Sequence, residues 1–234
     1  MYNVSVMPEN NPLPPSANPS PATAAQLAEL RLTPGRPLLV VDADEVLFYF
    51  MRGFERHLQA NGFYFNWASF ALNGNVRRQA DDTAVSQTEL SPLLDHFFAS
   101  ATDLLDPVDG AAEALAGLAG LADIVVLSNL PLHARDARAT ALHRHGMPYP
   151  IIANTGPKGP AMAALLRHAP RRAAFIDDIP RNHASVAEVA PDVHRVHFIA
   201  DPRLAVLLPP SEHCQHRGES WAAMAPHLAA QLSG

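Results

Sequence analysis

Four times in this chain a short apolar run stops abruptly at acids or a hydroxyl. In PLLVVDADEVLFYF, Pro37 to Val41 are continuously apolar and lead straight into Asp42 and Asp44. ADIVVLSN runs into Ser128, RRAAFIDD ends in Asp177 and Asp178, and VHRVHFIAD ends in Asp201. A strand without polar alternation is buried on both faces, which requires a parallel sheet covered by helices. Ala- and Leu-rich stretches fill the intervals: DGAAEALAGLAGL, ARDARATALHRHG, GPAMAALLRHAP and NHASVAEVA. Strand alternating with helix predicts a doubly wound, Rossmann-like α/β domain. Such sheets bind ligands outside the carboxyl ends of their strands, which is where this chain puts its polar residues.

The chain has 234 residues, 48% of them hydrophobic, enough to bury a sizeable core. Residues 1–22 carry six prolines between Pro8 and Pro21, set among Asn and Ser. That composition cannot bury enough apolar surface to order itself, so a disordered tail is expected there. TAAQLAELRL then reads as a short helix ended by TPGRP. The α/β core is expected over 23–47 and 106–234. Residues 48–105 interrupt the alternation, and the interval is too long for a βα loop. It holds eleven of the sixteen aromatic residues. YFMRGFERHLQANG and SPLLDHFFASATDLL read as amphipathic helices. The interval is therefore expected to form a small helical cap with its own aromatic core, whose rings either pack only against one another or in part line a pocket for an apolar or aromatic portion of a substrate.

Net charge is −6, and no basic stripe is present, which argues against a nucleic-acid partner. Cys214 is the only cysteine, so no internal disulfide forms, in keeping with a reducing, cytoplasmic setting. No apolar run reaches the ~18 residues of a membrane span, and the first residues lack the pattern of a signal peptide.

Two carboxylates at the end of a buried strand are costly unless a cation or proton compensates them. If the strands bearing Asp42/Asp44 and Asp177/Asp178 are neighbours, up to four carboxylates converge. Such a cluster calls for a hard cation held by oxygen, Mg²⁺ above all. Ser128 adds a hydroxyl donor. Lys158, the single lysine among seventeen basic residues, opens a helix after NTGP. A compact ammonium suits a tight site that holds a carboxylate and a phosphoryl oxygen together, where arginine's fork would not fit.

These segments together resemble the haloacid dehalogenase superfamily of phosphohydrolases. DADEV (Asp42 to Val46) is similar to its first motif and VVLSN (Val125 to Asn129) to its second. Lys158 is similar to the lysine of its third, and FIDDIPRN (Phe175 to Asn182) to its fourth, and the order is the family's. The resemblance covers about residues 37 to 200. It implies a phosphatase acting on a small phosphorylated metabolite. Asp42 would be the nucleophile that becomes an aspartyl-phosphate, and Asp44 the general acid and then base, its backbone carbonyl also binding Mg²⁺. Ser128 and the Asn129 backbone N–H would hold a phosphoryl oxygen. Lys158 would steady the nucleophile and the phosphoryl charge. Asp178 would ligate the metal, Asp177 would ligate it directly or at one remove, and Asn182 would support the metal's waters. Glu45 stands where many members have glycine, so it either tunes specificity or projects into the hinge of the cap. Asp44 argues against dehalogenation, because dehalogenating members lack that acid. The interval 48–105 contains no lysine, which excludes a Schiff base of the phosphonoacetaldehyde-cleaving kind.

The same four motifs serve phosphomutases, and a binding module that turns over poorly is a further alternative. A receiver domain fits less well, because in receivers the acid pair precedes the lysine by far. EHCQH offers His213, Cys214 and His216 as soft metal ligands, but no second ligand pair accompanies them. His143 and His145 read as a helix end, and Arg77 and Arg78 as solvated cap residues or contacts to an anionic substrate.

Overall fold

A computed structural model describes residues 18–168 and 170–234. Most of the expected tail lies outside them. Pro21 and Ala22, read as its last residues, instead open helix α1 (Pro21–Glu29), where the Ser20 side chain accepts the Thr23 N–H and the proline needs no hydrogen bond of its own.

The chain then alternates as the apolar runs predict. Strand β1 (Leu38–Val41) is followed by helix α2 (Phe50–Ala60), strands β2 (Phe63–Phe65) and β3 (Val76–Arg78), and helices α3 (Gln87–Ala101) and α4 (Ala111–Leu118). Next come β4 (Asp123–Ser128), α5 (Arg135–Arg144), β5 (Ile151–Ala153), α6 (Gly159–Leu166), β6 (Ala173–Asp177) and α7 (Pro180–Val189). The remainder is β7 (His194–Phe198), α8 (Pro202–Ala205), β8 (His216–Gly218) and α9 (Trp221–Ser233). Six strands form a parallel sheet in the order β5-β4-β1-β6-β7-β8.

Alternate residues of β1 feed two cores, since successive side chains leave a strand on opposite faces. Leu39 and Val41 pack with α2, α3, α4, α5 and α9, whereas Leu38 and Val40 pack with α1, α6 and α7. All four are essentially inaccessible. Each such side chain stabilises the fold by roughly 1.5–3 kcal/mol relative to exposure, so a polar residue at Val40 would disrupt the sheet at its centre.

Four strands were not legible in sequence. β5 and β8 have three residues each, as do β2 and β3, too few to establish a periodicity. β2 and β3 pair antiparallel, Phe63 with Arg78 and Phe65 with Val76. The interval 48–105 thus carries a two-stranded ribbon between its two helices, where helices alone were expected. α3 begins at Gln87, four residues before the expected start, because Ser86 and Glu89 form a reciprocal capping box. Phe50, Phe54, Phe97 and Phe98 pack together with ring centroids 5.2–6.0 Å apart.

Candidate active site

The sheet order places β1 between β4 and β6, so Asp42, Ser128 and Asp177 leave three adjacent strands at their carboxyl ends. Asp42 follows β1 directly, and its backbone N–H continues the ladder by donating to the Ile176 carbonyl at 2.9 Å. Lys158 precedes α6 and reaches under the strand ends. Its Nζ lies 2.6 Å from Asp42 Oδ1 and 2.6 Å from Asp177 Oδ2, with the side chain 1% exposed. The four-carbon stem is buried in reaching this point, which a guanidinium could not do without displacing a carboxylate.

Asp177 is fully engaged. Besides Lys158 it accepts the Ile179 backbone N–H and two contacts from Asn182 Nδ2, at 2.8–3.1 Å. Asn182, expected to support a metal's waters, directs its Nδ2 to Asp177 and also borders the cavity described below. The backbone around the acid pair is pinned by two buried histidines that sequence reasoning missed. His183 Nε2 donates to the Asp177 carbonyl at 2.8 Å and His197 Nε2 to the Asp178 carbonyl at 2.9 Å. Carbonyls only accept, which fixes the proton on Nε2 in both rings. Burial keeps these imidazoles neutral, and His183 is pushed down to about 4.

One ammonium is shared among several acids. Burial raises the Asp42 carboxyl to about 7 against the pull of Lys158, with Asp177 and Asp44 adding to the rise. Burial, then Asp177 and Asp42, hold Asp178 well above the usual carboxylate range. Burial alone would lower Lys158, but Asp177 and Asp42 more than offset it and push its pKa above the ordinary value. The cluster is thus short of positive charge. Asp42, Asp177 and Asp178 offer oxygens within 4.8 Å of one another, the one such group of possible metal ligands among the described residues. Three buried carboxylates, with one ammonium between them, fit a hard divalent cation.

Asp44 stands outside that trio. Its Oδ1 accepts from Arg138 Nη1 at 2.6 Å, and the arginine on α5 is completely buried. Arg138 was not read as a site residue. Its signal lies in helical spacing, since it shares the buried stripe of α5 with Ala141 and Leu142, a position where an arginine needs a partner. Glu45 adopts a positive φ of 60°, a conformation costly for any residue but glycine. Its Oε1 accepts the Met51 N–H at 2.6 Å, so it ties the strand-end loop to the first turn of α2. Burial raises its carboxyl to about 8. Trp221 Nε1 secures the same loop by donating to the Val46 carbonyl at 2.8 Å.

Ser128 Oγ is buried and has no hydrogen-bond partner among the described residues. Asn129 and Leu130 reach the wall of a cavity of about 290 Å³ that also meets Asp42, Asp44, Lys158 and Asp178. The Asn129 side chain donates to the Gly156 carbonyl and accepts from Asn154. The remaining candidates lie apart. Cys214 has its thiol pushed up to about 11 by burial, and His216 stacks on His227 with centroids 4.1 Å apart. His213, Cys214 and His216 thus do not assemble a ligand group. His145 packs edge-on against Phe48, and Arg77 and Arg78 pair with Asp82 and Glu89.

No protein-family model and no curated protein matches this chain. Solved structures do. A HAD family hydrolase from Deinococcus radiodurans R1, with bound phosphate and sodium, superposes with a TM-score of 0.55 at 17% identity, over 86% of this chain and 99% of that one. A haloacid dehalogenase-like protein from Agrobacterium tumefaciens C58 gives 0.56 at 14% identity, over 84% and 99%. The HAD-hydrolase YfnB of Bacillus subtilis, bound to magnesium, gives 0.53 at 10% identity, over 82% and 98%.

The chain has the haloacid dehalogenase fold. Within that fold the four motif-like segments occupy three adjacent strand ends and one helix start, and Lys158 joins the first to the last.

Proposed function

We propose that this protein is a Mg²⁺-dependent phosphomonoester hydrolase that works through an aspartyl-phosphate on Asp42. The observation that carries the reading is the Lys158 ammonium, buried and 2.6 Å from both Asp42 and Asp177, beside a cavity that admits a small ester. Asp42 attacks the phosphorus, and the ester oxygen departs with a proton from Asp44. Asp44 then takes a proton from water, which attacks the same phosphorus, releases phosphate and restores Asp42. Lys158 offsets the charge of the nucleophile and of the phosphoryl oxygens during both attacks. Ser128 Oγ and the Asn129 N–H hold one of those oxygens. Asp42, Asp178 and the Asp44 carbonyl would hold Mg²⁺, which supplies the positive charge the cluster lacks. Asp177, whose oxygens are already engaged, anchors Lys158.

Replacement Asp42→Asn keeps the shape and removes the nucleophile. Turnover of 4-nitrophenyl phosphate with Mg²⁺ should fall ~10⁴-fold or more, with an unchanged circular dichroism spectrum. EDTA should abolish the wild-type rate and Mg²⁺ restore it. A variant with near-normal rates, or full activity in EDTA, would overturn the reading.

A further inference from the structure

The two ends of the cavity differ in chemistry. One end carries the acids and Lys158. Most of the apolar lining, Phe50, Met51, Phe70, Leu72, Leu94 and Phe98, comes from the interval 48–105, with Leu130 and Ile179 added from the sheet side. Several polar side chains of the wall are already engaged within the protein, and Thr155 and Arg181 also line it. Asn154 donates to Asn129 and to the Gly156 carbonyl, Asn182 is turned to Asp177, and Glu45 Oε1 is held by Met51. Glu45 Oε2 has no partner among the described residues, but it is a single acceptor and buried.

A sugar phosphate seated here would carry several hydroxyls into contact with phenylalanine, leucine and methionine. Each hydroxyl left unpaired weakens binding by roughly five- to a hundredfold. An apolar body pays no such penalty, and aromatic walls favour an aromatic guest through edge and offset-stacked contacts. An apolar cavity of ~150 Å³ holds one benzene ring, so about 290 Å³ suits a phosphoryl group joined to one ring by a short linker.

We propose that the site takes the phosphomonoester of an apolar, arylalkyl-sized alcohol in preference to a sugar phosphate. The proposal rests on the phosphoryl-transfer reading above and adds the class of the organic half.

The test compares 2-phenylethyl phosphate with glucose 6-phosphate, both esters of primary alcohols, so that leaving-group chemistry is matched. With Mg²⁺, kcat/KM should favour the arylalkyl ester by about a hundredfold or more, since at least two sugar hydroxyls go unpaired. Phe70→Asn, at a half-buried position that tolerates a polar group, should shrink that ratio. Titration calorimetry with 2-phenylethylphosphonate, which cannot turn over, gives a second readout. It should bind more tightly than a polyhydroxylated alkylphosphonate and with a negative heat-capacity change. Equal or better turnover of the sugar ester overturns the proposal and leaves the hydrolase reading standing. Tight phosphonate binding without turnover of any ester overturns the hydrolase reading and supports the assignment of the cavity. Failure of both binding and turnover overturns both.

Discussion

Lys158 is caught between two carboxylates, and removing it leaves both buried without their cation. Losing one partner of a buried ion pair costs about 3–5 kcal/mol. Lys158→Met should therefore lower the urea midpoint of the metal-free protein as well as its activity. Lys158→Arg should recover part of the stability but little of the rate, because the fork cannot sit 2.6 Å from Asp42 and Asp177 without moving one of them. Arg138 invites a different measurement. It touches the proposed acid rather than the reacting atoms, so its loss should matter only where the leaving group needs a proton. General acids contribute about 10²–10⁴-fold. Arg138→Met should thus cost about a hundredfold on an alkyl phosphate and far less on 4-nitrophenyl phosphate, whose leaving group departs unaided. Equal losses on both esters would make Arg138 a packing residue.

At the scale of elements, α9 is joined to the sheet through histidines. His194 on β7 and His227 on α9 approach to 2.8 Å between their Nε2 atoms, and His216 on β8 stacks on His227. Burial, then repulsion from His227 at His194 and from His216 at His227, lowers the pKa of both. A lowered folded value means the unfolded chain binds protons first. The stabilisation is complete above the ordinary value near 6.5 and declines as pH falls through it. Asp42, at about 7, and Glu45, at about 8, titrate with the opposite sign, so the histidine effect is read as a difference. The fall in melting temperature from pH 8 to pH 5.5 should be smaller in His227→Gln than in the wild type. These packing histidines also mark what could be read from sequence. β1, β4, β6 and β7 were legible because apolar runs ending in acids or a hydroxyl report burial directly. Asp42 and Asp178 were legible because each follows such a run, and Lys158 because it is the single lysine and opens a helix. Arg138 and His197 act on groups far from them in sequence, and His183 turns back from α7 onto the Asp177 carbonyl, so the roles of all three depend on a packing that no local pattern encodes. The three-residue strands are set by pairing with neighbours rather than by their own composition.

Across the whole molecule, the acid cluster sets the balance between stability and function. Asp178 is raised by burial and by its acidic neighbours, so at neutral pH it destabilises the metal-free fold. Asp178→Asn should raise the melting temperature in EDTA, by about 2–4 °C for each 1 kcal/mol relieved, and should erase the further rise that Mg²⁺ gives the wild type. A metal-free wild type as stable as the variant would remove the argument for a charge deficit. The cavity built over this cluster has a consequence for how such a chain can diversify. Its polar groups are assembled from strand ends that neighbouring strands hold in register, and most of its apolar wall comes from one uninterrupted stretch, residues 48–105. Drift in that stretch can reshape which guests are welcome while the reacting groups stay where they are. Selectivity and reactivity are therefore separately heritable in this architecture.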